Sequence, residues 1–277
     1  MKTPVLILAG LAAVLPAAAP GLVPAWEALA DYRAADAVAS FGRAEQSPDP
    51  RLAREARFGH GVALLARQPV DGAQIADARR IFRDLAASGQ DDLAQGAEFY
   101  LARIAQHHAA QPDPVEAAQH FEKLIQTWPD SIWAQTALSR LALLEIYALD
   151  LDRPPAERIA RATRLLAAAR VPAAQSDLHE VFADAIFYFR LPAAQALPHL
   201  LAAERIGLLD TVTRPDVLVQ IGELSRLQGE QEQARQYYGK FLREYPRDQR
   251  HYMVEERLRV LGEAGVAPAA GPGNVKP

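Results

Sequence analysis

The sequence contains no cysteine. A protein without cysteine has no disulfide bond, no thiolate metal ligand and no thiol nucleophile. It also lacks the residue to which a bacterial lipoprotein attaches its lipid, so an anchor of that kind is excluded. The stability of the folded chain must then come from the packing of its side chains.

The sequence also lacks a block of basic residues. Its 30 Lys and Arg residues are interleaved with 34 Asp and Glu residues, which leaves a formal net charge of −4. Proteins that bind nucleic acid neutralise phosphates with clustered Lys and Arg side chains. We therefore predict that the chain has no nucleic-acid partner.

Motifs of catalysis and metal binding are missing as well. The chain has no G-x-S-x-G elbow, no phosphate-binding glycine loop and no dinucleotide-binding fingerprint. None of its seven histidines has a metal-binding spacing; the pair His179-Glu180, for example, is not followed by a second histidine four residues after the first. We expect no enzymatic activity, no metal and no cofactor.

The N-terminus, in contrast, has a recognisable pattern. Lys2 precedes an apolar run from Val5 to Leu15, and small residues and helix breakers follow it. This order is typical of a secretory signal peptide, and the run is shorter than the roughly 20 residues of a membrane span. We predict a signal peptide over residues 1–25, cleavage after Ala25, a periplasmic location and no membrane span in the mature protein. Cleavage after Ala19 also fits, but it places a proline directly after the cut. A buried N-terminal helix and an uncleaved anchor remain open as alternatives.

Two stretches of the chain repeat one pattern. ARQYYGKFLREYPRD begins at Ala234 and AAQHFEKLIQTWPDS begins at Ala117, and in both an aromatic follows the first alanine by four residues and a proline follows it by twelve. An alanine with a bulky apolar residue four positions later occurs in six places: Ala37 with Phe41, Ala78 with Phe82, Ala117 with Phe121, Ala162 with Leu166, Ala196 with Leu200, and Ala234 with Tyr238. The alanines are 41, 39, 45, 34 and 38 residues apart, and a period near this length indicates helical repeats.

The last repeat is the most complete. Ile221 and Gly222 precede Ala234, Tyr238 and Pro246, and this pattern resembles the tetratricopeptide repeat (TPR). In that interpretation the glycine and the alanine are small because two helices cross there, the tyrosine fills the space beside the crossing, and the proline ends the second helix.

The resemblance covers residues 26–262 and implies an all-α fold. It predicts a right-handed superhelical solenoid of about six antiparallel helix hairpins. Val254, Leu258 and Leu261 have helical spacing after the last repeat and predict a C-terminal capping helix. Residues 263–277 are rich in Pro and Gly and are predicted to be disordered. Most intervals exceed the usual TPR period of about 34, so a related class of helical-hairpin repeats with periods of about 40–47 stays open.

The resemblance also implies a binding surface and a class of function. In a stack of hairpins the first helices line a groove that holds a peptide or a partner protein. In this register the groove positions are Phe99, Ala102 and Gln106 in the third unit, and Val219, Glu223 and Arg226 in the last. The stretch YYGKFLREYP is similar to TPR proteins of cell-envelope assembly and division. The first hypothesis is therefore an exported interaction scaffold of a Gram-negative cell envelope. The alternative is an envelope enzyme, or a helical accessory domain, acting on peptidoglycan or polysaccharide.

Overall fold

The computed structural model describes residues 19–264. Most of the predicted signal peptide and all but two residues of the predicted tail lie outside the described residues. The described part of the chain contains no β-strand and forms thirteen α-helices. In chain order they are α1 (Val23–Ala30), α2 (Ala34–Ala44), α3 (Pro50–Ala66), α4 (Gly72–Ala87), α5 (Asp92–Arg103), α6 (Pro114–Thr127), α7 (Ile132–Tyr147), α8 (Pro155–Ala162), α9 (Pro172–Tyr188), α10 (Leu197–Ile206), α11 (Thr213–Leu227), α12 (Gln231–Glu244) and α13 (His251–Ala264).

Short polar side chains start many of these helices. Asp49, Asp91, Asp113 and Ser131 each accept a hydrogen bond from a backbone amide in the first turn of the helix that follows. At the start of α4 the Asp71 side chain accepts from the backbone amide of Gln74, and the Gln74 side chain accepts from the backbone amide of Asp71, which forms a capping box. The caps satisfy amides that have no partner within the helix, which is why the chain turns into a new helix at these points.

The helices form two compact units. The N-terminal unit comprises residues 19–154 and 161–174, and the C-terminal unit comprises residues 155–160 and 175–264. Consecutive helices pack against each other, from α1 to α7 in the first unit and from α10 to α13 in the second. The prediction of an all-α fold built from helix hairpins is therefore confirmed.

The predicted crossing of the last hairpin is present. Gly222 on α11 faces the ring of Tyr238 on α12, and a Cβ atom at this glycine would fall well inside van der Waals contact of that ring. The second hairpin has the same contact, because a Cβ atom at Gly61 would lie 2.8 Å from the ring of Phe82. The sequence pattern missed this glycine, since it lies 17 residues before Ala78 whereas Gly222 lies 12 before Ala234.

The repeated alanines all lie in the core. Each of the six is 0% exposed. Their bulky partners are buried too, except Leu166, which is half-buried. The reason is a 3₁₀ segment from Thr163 to Ala168, in which residues three apart share a face. Leu165, three residues after Ala162, therefore takes the buried position.

Helix α1 includes the predicted cleavage site. Leu22 and Ala25 are buried, and the amide of Ala19 donates a hydrogen bond of 3.1 Å to Glu55 on α3. Cleavage after Ala25 would remove the first turn of this packed helix, whereas cleavage after Ala19 would leave it whole. The existence and position of the cut stay predictions.

The last helix covers the hairpin before it. Val254 and Leu261 of α13 are buried in one cluster with Tyr238 and Phe241, and Leu258 packs against that cluster. The predicted capping helix is therefore present, and it extends to Ala264.

Among the described residues, no helix is both long enough and apolar enough to span a membrane.

Candidate functional site

Two of the predicted groove residues lie in the core of the N-terminal unit. Phe99 is 8% exposed and Ala102 is 0% exposed. The ring of Phe99 lies 5.6 Å from that of Phe121 and 5.4 Å from that of Trp133, measured between centroids. This aromatic cluster holds α5 against α6 and α7. Both residues therefore stabilise the stack, and neither has surface to offer a partner.

Gln106 lies just beyond α5, in a π-helical turn from Ile104 to His108. The residue is half-buried, and its side-chain oxygen Oε1 is buried with no hydrogen-bond partner. The backbone amide of Ala109 closes the turn on the carbonyl of Ile104 at 2.9 Å. The extra residue of a π-turn could not be foreseen from the sequence pattern.

In the C-terminal unit, Glu223 and Arg226 are partly exposed on α11. Arg226 Nη2 donates to Glu223 Oε2 at 2.8 Å, and the Tyr238 hydroxyl donates to Glu223 Oε1 at 2.7 Å. Burial opposes the ionisation of Glu223, but these two bonds outweigh it and hold the pKa of Glu223 below its usual value. The carboxylate therefore ties the two helices of the hairpin together while it keeps part of its surface open.

The exposed face of α11 differs by one position from the predicted one. Val219 is buried at 8% exposure, whereas its neighbour Gln220 is partly exposed. Gln220, Glu223 and Leu227 are three and four residues apart, so they share one face of the helix, and Leu227 is 69% exposed. A shift of one residue rotates the assigned face by about 100°. We define this set of three residues as the α11 face.

Sequence reasoning missed Arg103, the last residue of α5. This side chain is 7% exposed and has no hydrogen bond or ion pair to any described residue. Burial lowers its pKa to about 10, and the charge of Arg140 on α7 adds to that effect. All residues from 94 to 105 are buried, including Gln95 and Glu98, so the sequence offered no apolar stretch that would mark Arg103 as buried.

Two histidines follow Arg103 in the π-turn. Burial, and then the charge of Arg103, lowers the pKa of His108. Burial and the charges of Arg103, His108 and Arg140 lower the pKa of His107 to about 4. A lowered pKa keeps both imidazoles neutral near pH 7, so the cations of this region are Arg103 and Arg140.

A separate open cleft of about 640 Å³ lies in the N-terminal unit between α3 and α4. Its charged groups bind one another or their neighbours: Arg57 pairs with Asp84, His60 with Glu45, and Arg54 with Asp91 at 2.8 Å. The cleft is therefore braced by the ion pairs of Arg54 and Arg57 and by the contact of His60 with Glu45. No group of three or more His, Asp or Glu side chains that could hold a metal ion occurs within residues 19–264.

Paired helices, glycine–aromatic crossings and a capping helix define a helical-hairpin repeat protein. A family model for the tetratricopeptide repeat matches residues 216–248, which include most of α11 and all of α12. The chain therefore contains a tetratricopeptide repeat, and the resemblance to TPR proteins is confirmed.

Comparisons with whole proteins add little to this result. No curated protein matches the chain. Among solved structures, a thermophilic TPR protein of Thermus thermophilus matches with a TM-score of 0.39 and 21% sequence identity, over 76% of this chain and 99% of that chain. A likeness at this TM-score says nothing about the function of the chain.

Proposed function

We propose that this chain is an exported, non-enzymatic scaffold that binds a segment of a partner protein in the bacterial cell envelope. The observation that carries the proposal is the tetratricopeptide repeat at residues 216–248. Stacked helical hairpins present extended surfaces on which peptides and partner helices bind. The interleaved charges of the chain favour a protein partner over nucleic acid.

The α11 face supplies the surface for such a segment. This face combines the exposed side chain of Leu227 with the side chains of Gln220 and Glu223. Hydrogen bonds from Arg226 and Tyr238 hold the carboxylate of Glu223 in a fixed position. Apolar contact area next to oriented polar groups is the composition that protein interfaces use. Fixed side chains also lose little entropy when a partner binds.

Export is supported by the N-terminal sequence. The basic residue, the apolar run and the small residues before Ala25 are the three parts of a secretory signal. Recovery of the protein from the periplasm, followed by N-terminal sequencing, tests this part of the proposal. We expect a mature chain that starts between Pro20 and Trp26, and a chain that starts at Met1 would contradict export with cleavage.

Affinity capture tests the binding surface. The full-length chain, immobilised, should retain a partner from an envelope extract, and Gln220→Ala with Leu227→Ala should weaken that capture without lowering helical content. The matched control is Gln236→Ala with Arg243→Ala, which changes two exposed residues on α12. Phe99→Ala is unsuitable, because it would open the aromatic core. Equal capture by the α11 variant and the wild type would show that recognition uses another surface.

A further inference from the structure

Two histidines of the C-terminal unit bind each other. His179 on α9 and His199 on α10 approach with their Nδ1 atoms 3.0 Å apart. Their ring centroids are 5.3 Å apart, farther than the nitrogens by the radii of the two rings, so each Nδ1 points at the other. This is the geometry of a single N–H···N hydrogen bond, in which one ring donates and the other accepts. The bond joins α9 to α10.

The two helices partly enclose this pair. Both histidines are half-buried, and the ring of His199 packs against the buried ring of Phe182, with 5.3 Å between the centroids. Burial lowers the pKa of His179, and burial together with the neighbouring His179 lowers the pKa of His199 to about 4. Both rings are therefore neutral near pH 7, as a hydrogen bond between two Nδ1 atoms requires.

Glu180 is the acidic residue next to His179 on α9. Its carboxyl oxygen Oε1 accepts a hydrogen bond from the Ser176 hydroxyl at 3.2 Å. Burial raises the pKa of Glu180 to about 7. This carboxyl group therefore becomes neutral as the pH falls below 7, so it supplies no counter-charge to a protonated histidine.

The remaining charges near the pair have other partners or lie on the surface. Glu204 of α10 binds Arg214 of α11 at 3.2 Å, and the guanidinium of Arg158 on α8 lies over the ring of Phe189. The other charged residues of α9, α10 and the loops that follow them are exposed: Asp177, Asp184, Arg190, Arg205 and Asp210. The histidine pair therefore takes up positive charge without a carboxylate of the described residues to balance it.

We propose that the His179–His199 bond is an acid-sensitive latch, which holds α10 against α9 at neutral pH and opens when both imidazoles are protonated. The donor ring can carry one added proton without loss of the bond. A second added proton leaves an N–H on each Nδ1, so the acceptor is lost and two positive charges face each other. The rings must then separate. Protonation of clustered histidines switches protein contacts by the same physics.

The direction of the pH effect follows from the two forms of the latch. In the open form the imidazoles are solvated and return toward the ordinary pKa of 6.5, whereas in the closed form the pKa of His199 is about 4. The closed form is therefore fully favoured above pH 6.5 and loses free energy as the pH falls toward 4. Because Glu204 ties α10 to Arg214 of α11, the opening separates α9 from α10 and α11 together.

NMR of the imidazole nitrogens in the full-length chain tests the bond itself. At pH 7.5 we expect one of the two rings to carry its proton on Nδ1 and the other on Nε2, and both rings should titrate below pH 6.5. His179→Gln and His199→Phe assign the signals. Protons on Nε2 in both rings, or ordinary titration of both near pH 6.5, would overturn the proposal.

A distance measurement tests the opening. Because the chain contains no cysteine, Asp184→Cys on α9 and Arg205→Cys on α10 place two nitroxide labels at chosen exposed positions. We expect one distance between the labels at pH 7.5 and a second, longer distance that grows in as the pH falls toward 4. His199→Phe keeps a ring against Phe182 but takes up no proton, so it should abolish the second distance.

The matched control is His251→Gln, which replaces a half-buried histidine on α13 and should keep the pH-dependent distance. A wild-type distance that is the same at pH 7.5 and pH 4 contradicts the latch, and so does an unchanged transition in His199→Phe. Circular dichroism at each pH separates opening from acid unfolding. If helical content is lost at the pH where the distance changes, the protein unfolds as a whole and the histidine pair is not a latch.

Discussion

Two regions of this protein bury a charge in opposite ways. In the C-terminal unit, Glu204 is surrounded by cations: Arg214 Nε donates to it at 3.2 Å and Lys240 Nζ also binds it. In the N-terminal unit, Arg103 is buried to a similar degree without a partner among the described residues. A buried charge costs free energy when its partner is removed, whereas a buried charge without an ion-pair partner already carries that cost in the folded protein. The difference separates a charge that joins two hairpins from one that does not.

Removing both cations around Glu204 has the largest expected effect on this comparison. Arg214→Met with Lys240→Met would leave the carboxylate buried and unpaired, because its side chain is only 3% exposed. Leaving such a charge bare costs about 3–5 kcal/mol, measurable by urea unfolding followed by circular dichroism. Arg80→Met, which breaks an exposed pair with Asp77, should unfold like the wild type. If the double variant also unfolds at the urea concentration of the wild type, the cations around Glu204 do not stabilise the fold.

The glycine crossings come next in size. Gly222→Ala and Gly61→Ala would each place a methyl group too close to the buried aromatic ring that faces the glycine. We expect each to lower the free energy of unfolding by about 1–3 kcal/mol, despite the better helix propensity of alanine. Gly262→Ala is the matched control, since no neighbouring atom lies within 4 Å of its Cβ position. Thermal melting that showed no difference between Gly222→Ala and Gly262→Ala would place Gly222 away from the helix crossing.

Replacing Arg103 should have the opposite sign to replacing the partners of Glu204. Arg103→Met removes an uncompensated buried cation and keeps most of the side-chain volume. We expect a gain on the order of 1 kcal/mol, or about 2–4 °C in Tm. Arg83→Met is the control for a solvent-exposed arginine on a helix. A lower Tm for Arg103→Met would indicate that the guanidinium already has a stabilising role in the free protein.

The smallest effect is on the titration of His108. Burial and the charge of Arg103 lower its pKa from the ordinary 6.5, and Arg103→Gln removes the second cause only. The pKa should rise but stay below 6.5, as measured by NMR of the imidazole protons. Because the pKa of His108 is depressed in the folded state, its contribution to the free energy of unfolding is complete above pH 6.5 and is lost as the pH falls. Arg103→Gln should therefore lose less stability than the wild type on acidification. An unchanged pKa would show that Arg103 and His108 do not interact.

Much of the hairpin architecture could be predicted from the sequence. The six alanine positions, the Gly222–Tyr238 crossing and the last helix all follow from helical spacing, because residues four and three apart share a face in any α-helix. The match of residues 216–248 to the tetratricopeptide repeat confirms the pattern where it is most complete. The prediction that Leu166 is the bulky partner of Ala162 was wrong, because a 3₁₀ segment changes the local helical period and spacing rules cannot anticipate it.

The candidate site was much harder to predict. Glu223 and Arg226 are partly exposed, whereas Phe99, Ala102 and Val219 belong to the core. A one-residue error in register is enough to exchange a buried face for an exposed one on a helix. The mapping of Phe99 and Ala102 also depended on counting from the most complete repeat, and loops of different length between hairpins shift that count.

The sequence by itself determined that this chain forms helices, that the repeated alanines are buried and that Gly222 meets Tyr238, because these properties depend on local spacing and side-chain volume. Only the tertiary structure decided which charges are neutralised. Lys123 lies 25 residues from Glu98 and 2.8 Å from it in space, while no described carboxylate binds Arg103. Burial and counter-charge both arise from segments distant in the chain, so a buried arginine without a partner becomes visible only once those segments have packed.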